Sequence, residues 1–120
     1  MDIAGMIADT RRHPDFAEAG MLLCHNGVVR GHSRDGRKVK GLRVVVDHER
    51  LERILEEQRR RPGIIAIRVA IAENRDLAIG EDVMILIIAG DIRENVITVL
   101  TDTLNLIKTT VTEKTEYFIS

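Results

Sequence analysis

The sequence has no tryptophan, one tyrosine, two phenylalanines, two prolines and one cysteine in 120 residues. Each scarcity excludes something. With aromatics at 2%, the chain lacks the stacking platforms of a single-strand nucleic-acid binder. Its core has to be aliphatic, built from Ile, Val and Leu. The lone Cys24 rules out an intrachain disulfide and suits a reducing compartment. A net charge of −1 gives no global field that would gather polyanions. The longest apolar run, Val83 to Gly90, is too short to span a bilayer. Met1 to Gly5 lacks the basic-then-apolar pattern of a signal peptide. A soluble cytoplasmic protein without nucleic-acid or membrane partners is the expectation. No glycine-rich phosphate loop and no Gly-x-Ser-x-Gly motif is present.

What is there suffices for one core. Hydrophobic residues make up 44% of the chain, and residues 1–120 read as one domain. Residues 2–12 form a short amphipathic pattern that Pro14 ends. Met21 to Val29 reads as a strand, and Ser33 to Arg37 as a turn around Asp35-Gly36. Val39 to Val46 is a β-branched strand. Asp47 can cap a helix reaching about Arg61, stopped by Pro62-Gly63. Ile64 to Ala72 alternates as a strand, residues 74–82 read as a loop, and Val83 to Ala89 as a central strand covered on both faces. Asp91, with Glu94 three residues on, predicts a capped long helix, and Val111 to Ile119 alternates as a last strand. From residue 39 the order is β-α-β-β-α-β, a ferredoxin-like unit in an α+β fold, an antiparallel sheet with helices on one face.

Two places could carry chemistry. Segment 30–43 holds Arg30, Arg34, Arg37, Lys38, Lys40 and Arg43 against only Asp35. It is either an anion-attracting stretch or a hairpin edge blunted by charge. Lys108 shares a helix face with Arg93, Ile97, Leu100 and Leu104. It is either a nucleophile beside apolar surface or a snorkelling lysine. Fifteen residues separate Arg93 from Lys108, roughly 22 Å of straight helix. If both serve one small ligand, one must come from a second subunit. Cys24, His25 and His32 make a poor metal set, because alternation turns Cys24 and His25 to opposite faces; Cys24 reads as a small core residue and the histidines as surface or loop groups. No metal and no cofactor is expected.

The run from Gly20 to His32, closing on Gly27-Val28-Val29-Arg30-Gly31, resembles the Gly-apolar-strand-Gly-Thr-Val-Arg segment of the molybdopterin synthase large (catalytic) subunit, the MoaE-like family. Ala78 to Val83 resembles its turn before the central strand. Arg93 takes the place of the arginine in its His-Arg pair, and Lys108 that of its Leu-Lys lysine. The resemblance covers about residues 20–118. It implies an α/β hammerhead fold containing the ferredoxin-like unit and a homodimer. It also implies a small ubiquitin-like sulfur-carrier subunit whose C-terminal thiocarboxylate enters a pocket beside the lysine. The implied substrate is cyclic pyranopterin monophosphate. Val28, Val29, Arg30 and Arg93 would bind it, with Arg93 supplied across the dimer, and Lys108 would sit at the reacting centre. The sequence departs from the family at several points, among them the absence of its Tyr-Glu-x-Tyr-like stretch after Val46. Ile92 stands where the family has the histidine of the pair. No Pro-Trp follows Lys108. Lys114, the stand-in for the second catalytic lysine, is one residue early, a shift that reverses facing along a strand. Two functions follow: sulfur transfer in molybdenum cofactor biosynthesis, or a dimeric pterin- or phosphate-binding relative without it.

Overall fold

The apolar run becomes the centre of the molecule. In the computed structural model, which describes residues 1–120, it forms strand β5 (Asp82–Gly90), and every side chain from Ile85 to Ala89 is fully buried. Burial on both faces explains why the run does not alternate. Strands β1 (Met21–Val28) and β3 (Ile64–Ile71) flank β5 antiparallel, giving a first sheet of order β1-β5-β3.

Helices α2 (His48–Arg59) and α3 (Arg93–Leu106) cover one face of this sheet. Leu51, Ile54 and Leu55 from α2, with Val96 and Val99 from α3, pack on Met84, Leu86 and Ile88. Helix α1 (Ile3–Arg11) packs against β5 and β3. The Asp2 carboxylate caps α1 at the Gly5 N–H, 3.0 Å, and the Asp47 carboxylate caps α2 at the Arg50 N–H, 3.0 Å. After α2 the chain reverses at Gly63, whose φ of 77° is left-handed and whose hydrogen faces the Asp91 carboxylate; a side chain there would be strained and would clash.

The α+β class and the antiparallel β2–β6 and β3–β5 pairs match the sequence reading, as do both helices on one face. The sheet itself is divided. In a continuous ferredoxin-like sheet β2 (Val39–Val46) would lie beside β5; here β1 takes that edge of β5. Strand β2 instead centres a second antiparallel sheet, β4-β2-β6, with β4 (Asp76–Ala78) and β6 (Thr112–Phe118). A small core of Val29, Leu42, Val44, Ala72 and Leu77 belongs to this second sheet.

Two local expectations are corrected. Residues 74–82 are not all loop, since Leu77 pairs with Leu42. Asp91 is not the N-cap of α3: that position is Ile92, without a side-chain cap. The Asp91 carboxylate accepts from Asn95 Nδ2 at 2.9 Å and from the Ile92 N–H at 2.6 Å, and these bonds, Asn95 first, hold its pKa below the usual carboxylate range. Glu94 turns to the Arg93 side chain, so no capping box closes.

Candidate functional site

The site forms where the two sheets meet the end of α3. Helix α3 does not stop at Leu106 but widens into a π turn over Ile107–Val111. Threonine hydroxyls feed the widening: Thr109 Oγ1 donates to the Asn105 carbonyl at 2.8 Å, and Thr110 Oγ1 to the Leu106 carbonyl at 2.6 Å. Such bonds compete with regular helix continuation, and π turns recur at functional sites. Ile107 and Val111 stay in the core, leaving Lys108 exposed between them in sequence.

A cleft of about 420 Å³ opens beside this turn. The turn supplies Lys108 and Thr109, and β6 supplies Thr112 and Lys114. Strand β1 supplies His25, Gly27 and Val28, the loop after it Arg34, and Leu42, Val44, Ile71, Val83 and Met84 form the apolar floor. Lys114 reaches the cleft because it pairs with Val44 across the ladder, and directly opposed residues share a sheet face. The one-residue offset therefore does not turn it away. No carboxylate lines the cleft.

Of the residues read from sequence, the fold brings together Val28, Lys108 and Lys114. Val28 is 52% exposed on the wall, beside a bulge at Gly27/Val28. Val29 is buried in the second core and faces Leu42 and Val44. Arg30 is exposed outside this cleft, its Nε donating to the His32 carbonyl at 2.7 Å. Arg93 stands at the other end of α3, with Nε 3.3 Å from Glu94. The basic segment divides likewise. Arg34 joins the cleft, Arg37 stacks on Phe118 at 3.6 Å from its ring centre, and Arg43 bonds Asp76 and the Asn74 carbonyl.

The sequence reading set His25 aside as a surface or loop group. It is half-buried on β1 and lines the cleft; burial, and after it the nearby Lys108 charge, push its pKa below the ordinary value. Alternation with Leu23 put His25 on an apolar strand face, but its pairing opposite the core residue Leu86 shows only in the fold. Cys24 opposes Ile87 on the other face, and burial raises its thiol pKa. A second cleft, about 550 Å³, lies between α2 and β3 and holds mixed charges, including a His48–Glu73 pair at 2.7 Å. None of the residues that carry the resemblance lines it.

Comparison with known proteins gives one family. The family model described as MoaE protein matches residues 2–110. Among curated proteins no relative matches the sequence. Solved structures do. Molybdopterin synthase from Staphylococcus aureus is similar with a TM-score of 0.80 at 17% identity, covering 100% of this chain and 87% of that one. The molybdopterin cofactor biosynthesis protein E of Burkholderia multivorans is similar with a TM-score of 0.76 at 21% identity, covering 99% and 84%. A protein–protein complex of subunits 1 and 2 of the molybdopterin-converting factor from Helicobacter pylori is similar with a TM-score of 0.73 at 14% identity, covering 100% and 85%. These identities carry the fold. No helix of the chain is long and apolar enough to cross a membrane.

Proposed function

Because this chain belongs to the MoaE family, that of the large subunit of molybdopterin synthase in molybdenum cofactor biosynthesis, we propose that its cleft performs sulfur transfer. The reaction moves sulfur from the C-terminal thiocarboxylate of a small ubiquitin-like subunit to cyclic pyranopterin monophosphate. The observation that carries the reading is a single cleft holding Lys108 and Lys114 and no acid. Both reactants are anions, a thiocarboxylate and a phosphate ester. Cations fixed around the reacting centre stabilise the charge that develops as sulfur changes hands. Lys108 is the residue at that centre and Lys114 the second lysine beside it.

The partner is a small sulfur-carrier subunit, as the Helicobacter pylori relative is a complex of two subunits. Its flexible tail fits a cleft whose floor is aliphatic and whose rim is basic. The protein works as a homodimer in this reading. Val28 contacts substrate from the wall, and Val29 supports it from the core beneath. Arg30 and Arg93 bind the anionic end of the pterin, with Arg93 contributed by the second copy. The half-exposed Ile92 and Ile97 flanking Arg93 are the apolar surface such a contact would use.

Incubation with the thiocarboxylated small subunit and cyclic pyranopterin monophosphate tests this directly. Dithiolene pterin is expected from the native chain and not from Lys108→Ala. A competent small subunit that neither binds nor yields product would overturn the proposal. One observation favours a second reading, a dimeric pterin- or phosphate-binding relative without sulfur transfer. Ile92 stands in the place of the family's histidine, and its side chain cannot donate a hydrogen bond. Pterin phosphate binding that Arg30→Ala weakens, without product, would establish that alternative.

A further inference from the structure

The cleft wall carries one imidazole, and the reading above leaves it without a task. The buried Nε2 of His25 has no hydrogen-bond partner. Buried polar atoms are nearly always paired, and an orphan asks for a ligand or water. The titratable groups sharing its cleft are Lys108 from the π turn, Lys114 from β6 and Arg34 from the loop after β1; β5 contributes only Val83 and Met84. Partly desolvated, and beside the Lys108 charge, the ring keeps its pKa below the ordinary value and is neutral at neutral pH. A neutral imidazole has one donor and one acceptor nitrogen, so it can still bond a ligand atom.

We infer that His25 is a ligand-contacting residue of the cleft, its orphaned Nε2 pairing with an anionic group held near Lys108 and Lys114. The inference rests on the anion-site reading above and adds a proton to it. An anion in the cleft offsets part of the Lys108 field, so the imidazole gains proton affinity as the site fills. Its Nε2 lone pair then takes a proton from solvent, and the resulting N–H donates to the anion. No bond to carbon or sulfur is made or broken in this step.

The test uses inorganic pyrophosphate as the anion, titrated calorimetrically into the full chain between about pH 6 and 8 in buffers of different ionisation heat. Histidine ring signals are followed by NMR. The native protein is expected to take up protons on binding, and the His25 signals to move to a higher apparent pKa. His25→Gln keeps a hydrogen-bonding group without titration; it should bind several-fold more weakly and show only the proton exchange of pyrophosphate itself. His25→Phe, with neither property, should lose about tenfold in affinity. Equal affinity of native and Phe proteins, or pyrophosphate that perturbs the lysines and leaves His25 unmoved, would overturn the inference. So would a native protein that binds no pyrophosphate. Proton-coupled binding without dithiolene product would sink only the synthase reading, and product with a silent His25 only this one.

Discussion

Lys108 and Lys114 line the same cleft although one ends a helix and the other sits on a strand. The π turn makes this possible. It swings the chain from α3 into β6 within a few residues, and pairing with Val44 fixes the face that Lys114 presents. Two like charges beside one small volume repel unless an anion lies between them. Such a pair is more useful to a bound anion than to the empty protein.

Removing either lysine should therefore harm the reaction more than the fold. Lys108→Ala is expected to lower kcat by about 100-fold or more, the usual scale for losing one stabilising charge or donor at a reacting centre. Lys114→Ala should raise KM for the small subunit and lower turnover less. Both side chains are exposed, so thermal midpoints should stay within a few degrees of native. Steady-state kinetics beside a melting curve checks both. A Lys114→Ala enzyme with native kcat and KM would remove that residue from the site.

The distance between Arg93 and Lys108 gives a sharper test of the shared site. Arg93→Ala and Lys108→Ala proteins should each be nearly inactive. Mixed after subunit exchange, they should regain about a quarter of native activity, because half of the random dimers hold one site free of both changes. Two changes in one site of a single chain could not complement. No recovery after demonstrated exchange would place both residues in the same subunit's site, and a fully active Arg93→Ala protein would place Arg93 in none.

Much of the fold was legible because strands and helices here bury in simple periods. Val39 to Val46 was read with the ends it has, and Asp47 as the cap it is. The division into two sheets was not legible. Which strand takes an edge of β5 depends on long-range competition between β1 and β2, and both have suitable apolar patterns. Strand β4 escaped because Leu77 is its only large apolar residue, and its pairing with β2 is decided by tertiary contact. Of the two lysines in the cleft, Lys108 stands out by its helix face and by resemblance, Lys114 by resemblance alone. His25 was missed because a lone histidine on a strand gives no sign of which helix end will lie over it. The π turn could have been suspected from Thr109-Thr110, whose hydroxyls reach back to the helix carbonyls.

The register of the central strand makes a stability prediction. Leu86 is fully buried beneath α2 and α3, whereas Val45 on β2 is 49% exposed. Leu86→Ala deletes packed methyl groups and leaves a cavity, costing about 2–5 kcal/mol. Val45→Ala should cost under about 1 kcal/mol. Urea denaturation of both variants checks the difference. A slip of β5 by one residue would exchange inner and outer faces on every side chain of the strand. Because both faces of β5 are buried, the discriminating site is its pairing with β1: Leu86 opposes His25 and Ile87 opposes Cys24. Leu86→Ala should therefore also shift the His25 ring signals in NMR, and Ile87→Ala should leave them nearly unchanged.

The same histidine should make the fold weaker in acid. Burial first, and the Lys108 charge second, lower its pKa in the folded protein, while in the unfolded chain it titrates near its ordinary value of about 6.5. Above that value neither state holds the proton, and the His25 contribution to stability is intact. As pH falls below about 6.5 the unfolded chain binds a proton that the folded one resists, so stability declines until the folded-state pKa is passed. Native protein is thus expected to lose stability between neutrality and mild acid, with part of that slope gone in His25→Gln. Urea midpoints of the two proteins, compared at several pH values, measure it. Parallel pH profiles would mean that the imidazole titrates alike in both states, and that the cleft is wetter around Nε2 than its packing indicates. An anion in the cleft should flatten the native slope by raising the folded-state pKa, and it should not alter the Gln variant's profile in this range.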